Sequence, residues 1–275
     1  MGVKLNITQR DDKMVITVLA ENTAVNESFS CEHGLSLFIE TKDMKILFDM
    51  GQSTLFIENA EKLGIDLKKT DIAVLSHGHY DHGGGLKAFL DINRTAPVYI
   101  NRNAFGEYYN GTEKYIGLGP DIKNSSRIIL TDDNYTINDR MSLSTLNKDI
   151  SPDKIISGGL TVKNGNDFLP DPFLHEQYLE ITEDKKRIAF SGCSHKGAIN
   201  IAELLKPDVF IGGFHFSKYP LDGTLKKNAE ALNSTGIAFF TCHCTGSEQA
   251  EFMKKYIPGL KYISTGEKIY LGGTI

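Results

Sequence analysis

Several things are scarce in this 275-residue sequence, and each absence removes a class of protein. No apolar run approaches the ~18 residues that a membrane helix requires, so no membrane partner is expected. No block of basic residues stands out. The 30 Lys and Arg are outnumbered by 35 Asp and Glu, for a formal charge of −5, which disfavours nucleic acid as the main partner. The first residues, Met1-Gly2-Val3-Lys4-Leu5-Asn6, carry neither an apolar leader segment nor a myristoylation pattern, so a cytoplasmic location is expected. Cysteine occurs only at Cys31, Cys193, Cys242 and Cys244, which argues against a disulfide framework in such a chain. Hydrophobic residues at 40% and charged residues at 24% describe an ordinary globular protein, long enough for one large or two modest domains.

What the chain has in quantity is metal-ligand chemistry in one place. Ser76-His77-Gly78-His79-Tyr80-Asp81-His82-Gly83-Gly84-Gly85 offers three imidazoles and a carboxylate in the pattern H-x-H-x-D-H. It follows the apolar run Ile72-Ala73-Val74-Leu75 and leads through three glycines into Leu86-Lys87-Ala88-Phe89-Leu90. That reads as a buried strand, a tight loop and a helix start. Imidazole and carboxylate suit zinc, manganese or iron. A second tract, Cys242-His243-Cys244, also has metal-ligand types. If it is extended, its neighbours point to opposite faces, so only alternate members can share an ion.

Along the chain, strands are expected at 4–8, 14–19, 35–40 and 45–49, the last two as a hairpin. Ser53 is a candidate cap for a helix over 54–63, ended by Gly64. A strand at 97–100 follows the motif. Between 101 and 170 the periodicity weakens, with short strands at 127–130 and 159–163; this stretch reads as an insertion or lid over the site within a single domain of residues 1–275. A second hairpin at 176–191 leads to Gly192-Cys193-Ser194-His195 and a helix over 198–205. Strands at 208–213 and 237–241 end at Phe214-His215-Phe216 and at Cys242-His243. Helices at 225–232 and 247–256 and strands at 261–264 and 268–271 complete the chain. Both halves pass from paired strands into strand–helix units and leave metal-ligand residues at strand C-termini, where an α/β sheet presents its site.

On these residues the sequence resembles the metallo-β-lactamase fold superfamily. The resemblance implies an α/β (α+β) fold: an αββα sandwich of two mixed sheets flanked by helices, with two divalent metal ions, zinc first and manganese or iron as alternatives. It places His77 and His79 on the first ion, Asp81 and His82 on the second, Asp49 behind the metal loop, and His243 as the last ligand. For the middle ligands the family's histidine and Gly-Asp pair are not matched cleanly. His195, Cys193 and His175 are candidates in that order. His175-Glu176-Gln177, Ser191-Gly192-Cys193-Ser194-His195, Gly212-Gly213-Phe214-His215 and His243-Cys244-Thr245-Gly246 look like the dihydropteroate-synthase-like branch. Gly78 stands where diiron redox members of the family carry Glu.

The expected activity is metal-dependent hydrolysis of an ester, lactone, thioester or phosphoester small molecule, anionic or phosphate-bearing, with Asp81 orienting the nucleophile and His215 as a proton donor or anion contact. The alternatives are the branch's transfer of a dihydropterin-methyl group to an aminobenzene phosphate, with Phe105, Tyr108, Tyr109 and Tyr115 stacking on a flat ring, and a non-catalytic metal-dependent binding protein. The oligomeric state stays open.

Overall fold

The computed structural model describes residues 14–119 and 122–272. The strand expected at 4–8 lies outside them. Two seven-stranded sheets form the frame. The first runs in the order Lys268–Leu271, Met14–Ala20, Ser36–Glu40, Lys45–Phe48, Ile72–Leu75, Val98–Asn101 and Ile128–Thr131. It is antiparallel up to Lys45–Phe48 and parallel from there on. The second runs in the order Lys261–Tyr262, Ala238–Thr241, Val209–Gly212, Lys186–Ser191, Tyr178–Glu183, Met141–Ser144 and Asn134–Asn138. Its first four strands are parallel and the remainder antiparallel.

Side-chain alternation explains the layers. Ile46, Phe48, Ile72 and Val74 face the second sheet and meet Leu179, Ile188, Phe190, Val209 and Ile211 there. The residues between them, Leu47, Ala73 and Leu75, face outward onto Phe56 and Ala60 of the helix Leu55–Lys62 and Leu86 and Phe89 of the helix Leu86–Ile92. On the far side, Ala189, Phe210 and Phe239 pack on the helices Ala198–Leu205, Gly223–Ser234 and Ser247–Met253. Central strands buried on both faces are near-continuous apolar runs for this reason. The arrangement is the αββα sandwich of two mixed sheets.

The stretch 101–170 is not one insertion. Ile128–Thr131 extends the first sheet, and Asn134–Asn138 and Met141–Ser144 extend the second. Ile128–Thr131 and Leu160–Asn164 stand where short strands were expected at 127–130 and 159–163, whereas Asn134–Asn138, at a sheet edge, buries only part of each face and reads as irregular chain. The remainder forms a separate four-stranded sheet, Asp167–Pro170, Leu160–Asn164, Tyr108–Asn110 and Lys114–Tyr115. Helix bounds moved by up to three residues, the largest shift at the end of Ser247–Met253. Leu55–Lys62 starts one residue late, with the Ser53 hydroxyl accepting from the Leu55 N–H at 3.1 Å. Among the described residues no helix is long and apolar enough to cross a membrane.

Candidate metal centre

The strand Ile72–Leu75 delivers Ser76 onto Asp49, which sits at the end of the neighbouring parallel strand Lys45–Phe48. Asp49 Oδ1 accepts from the Ser76 N–H at 2.7 Å, and Oδ2 accepts from the Ser76 hydroxyl at 2.7 Å and from His82 Nδ1 at 2.6 Å. Since the Ser76 hydroxyl donates to Asp49, its oxygen accepts from His77 Nδ1–H at 2.8 Å. One buried carboxylate thereby draws hydrogen to Nδ1 on two rings and aims both Nε2 atoms inward, where a bound cation would take their lone pairs. Asp49 holds this place with φ 58°, a costly conformation for a residue with a side chain. Gly78 lets the loop press against a neighbour: a Cβ there would lie 2.2 Å from the Ala104 carbonyl oxygen.

Donor atoms from both halves of the chain converge in overlapping groups. His77, His79 and His195 bring ring nitrogens within 4.8 Å of one another, and so do the ligand atoms of His77, His82 and Cys193. Asp81 Oδ2 lies 3.3 Å from His243 Nε2 and 3.8 Å from His82 Nε2. His82 Nε2 is 3.2 Å from both His243 Nε2 and Cys193 Sγ. His243 reaches this point with φ 51°, its N–H donating to Glu21 Oε1 at 2.6 Å. The chain has eight histidines, and ring contacts of 4.2–5.9 Å connect all of them: His33 to His243, His243 to His82, His82 to His77, His77 to His79, His175 and His195, and His195 to His215.

The electrostatics match a cation site. Burial, followed by neighbouring imidazoles, holds His77 and His195 neutral well below the usual histidine range and brings His79 down to about 3. For His82 burial is outweighed by Asp49 and Asp81, which raise it to about 9. Burial likewise opposes ionisation of Asp81, yet His82, His243 and His33 hold its carboxyl well below the usual carboxylate range. Burial pushes the Cys193 thiol up. His77 Nε2, His79 Nε2 and both ring nitrogens of His195 are buried without a hydrogen-bond partner. A buried polar atom without a partner costs about 1–3 kcal/mol. On three neutral imidazoles these four atoms include one lone pair per ring, and three clustered lone pairs fit a metal ion.

Most of the sequence-predicted residues therefore meet at one point: His77, His79, Asp81, His82, Cys193, His195 and His243. His175 stands beside them with both nitrogens occupied. Nδ1 accepts from the Gly78 N–H at 2.9 Å and Nε2 faces Asp171 Oδ2 at 3.1 Å, so the ring braces the metal loop. His215 sits against His195 with its Nδ1 unpartnered. The alternation argument for Cys242-His243-Cys244 does not hold, because the strand ends at Thr241 and His243–Thr245 is a 3-10 turn. The turn sends His243 to Asp81 and Cys244 to Cys193 and His215, while Cys242 joins the core between the sheets. Sequence reading named Cys244 within a tract of metal-ligand types but missed His33, Asn22 and Glu21.

The centre opens into a cavity of about 460 Å³. His79, Asp81, Cys193, His195, His215 and His243 form its floor, Lys114, Lys154 and Lys218 stand in its lining, and Ile116, Ile156, Leu160, Phe216 and Tyr219 supply apolar wall. Phe105, Tyr108, Tyr109 and Tyr115, the aromatics expected to stack on a ligand, do not line it. Tyr108 packs on His175 and Tyr109 on Phe168.

The Metallo-beta-lactamase superfamily matches residues 30–233, most of the chain and every element of the centre's first half. The chain belongs to the metallo-beta-lactamase superfamily. Similar proteins from Methanocaldococcus jannaschii are the uncharacterized protein MJ0448, 30% identical over 84% of this chain and 91% of its own, and 7,8-dihydropterin-6-methyl-4-(beta-D-ribofuranosyl)-aminobenzene-5'-phosphate synthase, 28% identical over 96% and 99%. Among solved structures, Tm1679, a metal-dependent hydrolase of the beta-lactamase superfamily, superposes with a TM-score of 0.80 at 29% identity, covering 93% of this chain and 98% of that one. The superfamily fold implies divalent metal binding, and the residues at the strand ends of this member fit that chemistry.

Proposed function

We propose that the protein is a dinuclear metallo-hydrolase acting on a small anionic ester, lactone, thioester or phosphoester. His77, His79 and His195 hold one ion, and Asp81, His82 and His243 the other, with Cys193 between them. The observation that carries this is the set of bare, buried ring nitrogens at the floor of an open cavity. Such ions, when bound, polarise the attacked group and bring the pKa of a water from about 15.7 toward 7. The chain's own part is to shape the rest. Asp81, at the cavity floor, orients the nucleophile. His215, 4.4 Å from His195 between ring centroids, is placed to give a proton to the leaving group. Lys114, Lys154 and Lys218 favour an anionic substrate, in a lining whose one carboxylate is Asp81. Phe216, Tyr219 and Ile116 exclude water from its apolar part.

The experiment is a panel of chromogenic esters, thioesters, lactones and phosphodiesters with metal-loaded protein, run beside His79→Ala and Asp81→Ala. Turnover that requires metal and disappears in both variants, while their folds survive, supports the reading. Full turnover by Asp81→Ala removes it. A second reading, transfer of a dihydropterin-methyl group, draws on the relative named as a synthase, which the chain covers nearly end to end. Calorimetry with a pterin and an aminobenzoyl phosphate tests it, and no binding at millimolar ligand counts against it.

A further inference from the structure

His33 is the one exposed histidine of the eight, and the chain around it is built to place it. Glu32 next to it accepts from the Gln52 and Ser53 N–H groups at 3.0 and 3.2 Å and from the Ser53 hydroxyl at 2.5 Å. Gly34, on its other side, lies so close to the metal loop that a Cβ would be 2.5 Å from the Asp81 carbonyl oxygen, with φ at +159°. The Leu35 N–H donates to that same carbonyl at 3.2 Å. Held from both sides, His33 brings Nε2 to 3.3 Å from Asp81 Oδ2.

Which nitrogen of His33 carries the hydrogen follows from Asn22. The Asn22 Oδ1 atom accepts from His243 Nδ1–H at 2.7 Å and from the Gly34 N–H at 3.3 Å. Its Nδ2, a donor only, faces His33 Nδ1 at 3.3 Å. His33 Nδ1 is therefore the acceptor, and the ring hydrogen sits on Nε2, pointing at Asp81. By the same amide His243 carries its hydrogen on Nδ1 and keeps Nε2 bare toward Asp81 and His82. A single side chain sets two imidazoles to opposite tasks, one presenting a lone pair and the other an N–H.

We propose that His33 is a positioning residue that holds the Asp81 carboxylate through its Nε2–H, with Asn22 fixing that orientation and the complementary one of His243. The proposal rests on the dinuclear reading for its consequence, since Asp81 and His243 both serve the second ion there. Hydrogen bonds behind metal ligands change affinity by about 10- to 100-fold, and the exposure of His33 places it at the lower end.

Two measurements test it. Ring nitrogen-15 spectra of the metal-free protein should show His33 with hydrogen on Nε2 and His243 with hydrogen on Nδ1. Zinc binding measured by competition with a chromophoric chelator should show the second ion ~10-fold weaker in His33→Ala and the first unchanged. His33→Gln, whose amide still donates, should stay within ~3-fold of the wild type. Hydrogen on Nδ1 of His33, a His33→Ala protein that binds both ions as the wild type does, or a His33→Gln protein as weak as His33→Ala would each overturn the proposal. A wild-type chain that takes up no second ion refutes the dinuclear reading instead, and the ring spectra then still decide the hydrogen-bond chain.

Discussion

Asp49→Asn changes one oxygen to nitrogen and should cost the protein its metal loop. In the wild type Asp49 accepts from the Ser76 hydroxyl and from His82 Nδ1 with the same oxygen, at 2.7 and 2.6 Å. An amide nitrogen in that place is a donor, so His82 must accept at Nδ1 and carry its hydrogen on Nε2, toward His243 and Cys193. The Ser76 hydroxyl likewise turns away, and His77 loses the acceptor that kept its Nε2 bare. The net rise of the His82 ring from 6.5 to about 9 corresponds to about 3 kcal/mol of preference for its charged form, reached against burial by Asp49 and Asp81 together. For metal binding, two disoriented ligand rings place the loss at the ~100-fold end of the usual range, close to 3 kcal/mol. Isothermal calorimetry with zinc on chelator-treated protein reads this directly, with far-ultraviolet circular dichroism to establish that the fold is retained. Affinity for both ions within ~3-fold of the wild type would refute the reasoning about which nitrogens are bare.

Three further outcomes follow from the same geometry. Gly78→Ala drives a Cβ onto the Ala104 carbonyl oxygen and should lower stability in urea by about 1–3 kcal/mol while weakening the first ion; an unchanged midpoint would mean the loop is not pressed there. The metal-free protein should lose stability as pH falls below about 6.5, because His77, His79 and His195 stay neutral in the fold but take up protons when unfolded. Each such proton changes stability by about 1.4 kcal/mol per pH unit, and a melting temperature that stays level or rises as pH falls from about 6.5 to about 5 would contradict this. Lys154→Ala and Lys218→Ala should each raise KM for an anionic substrate by ~5-fold or less and leave kcat alone, because exposed charges contribute about 1 kcal/mol at most. An equal effect on a neutral analogue would remove their role in charge recognition.

Much of the fold was legible because the central parallel strands are buried on both faces and read as unbroken apolar runs ending in chemistry-bearing residues, as Ile72–Leu75 does before Ser76. The edge strand Ile128–Thr131 was expected one residue early, at 127–130, whereas Asn134–Asn138 was not legible, since a half-buried strand rich in Asn and Thr carries little pattern. At the site, residues gathered within one loop declared themselves, and His195 and His243 were readable from their place after parallel strands. Asn22 and His33 were not. They lie on a loop between antiparallel strands, and nothing local says that Gly34 allows that loop to touch Asp81. Cys244 was named in a tract of metal-ligand types, but the extended geometry considered for that tract gives way to a 3-10 turn.

The most direct measurement is the metal content of the purified protein by plasma mass spectrometry, repeated on a variant in which His79 and His82 are both alanine. Side chains from the two halves of the chain that hold a dinuclear centre should yield two transition-metal ions per chain, lost together in the variant. A wild-type protein free of transition metal after growth and purification with zinc, manganese and iron present would contradict it.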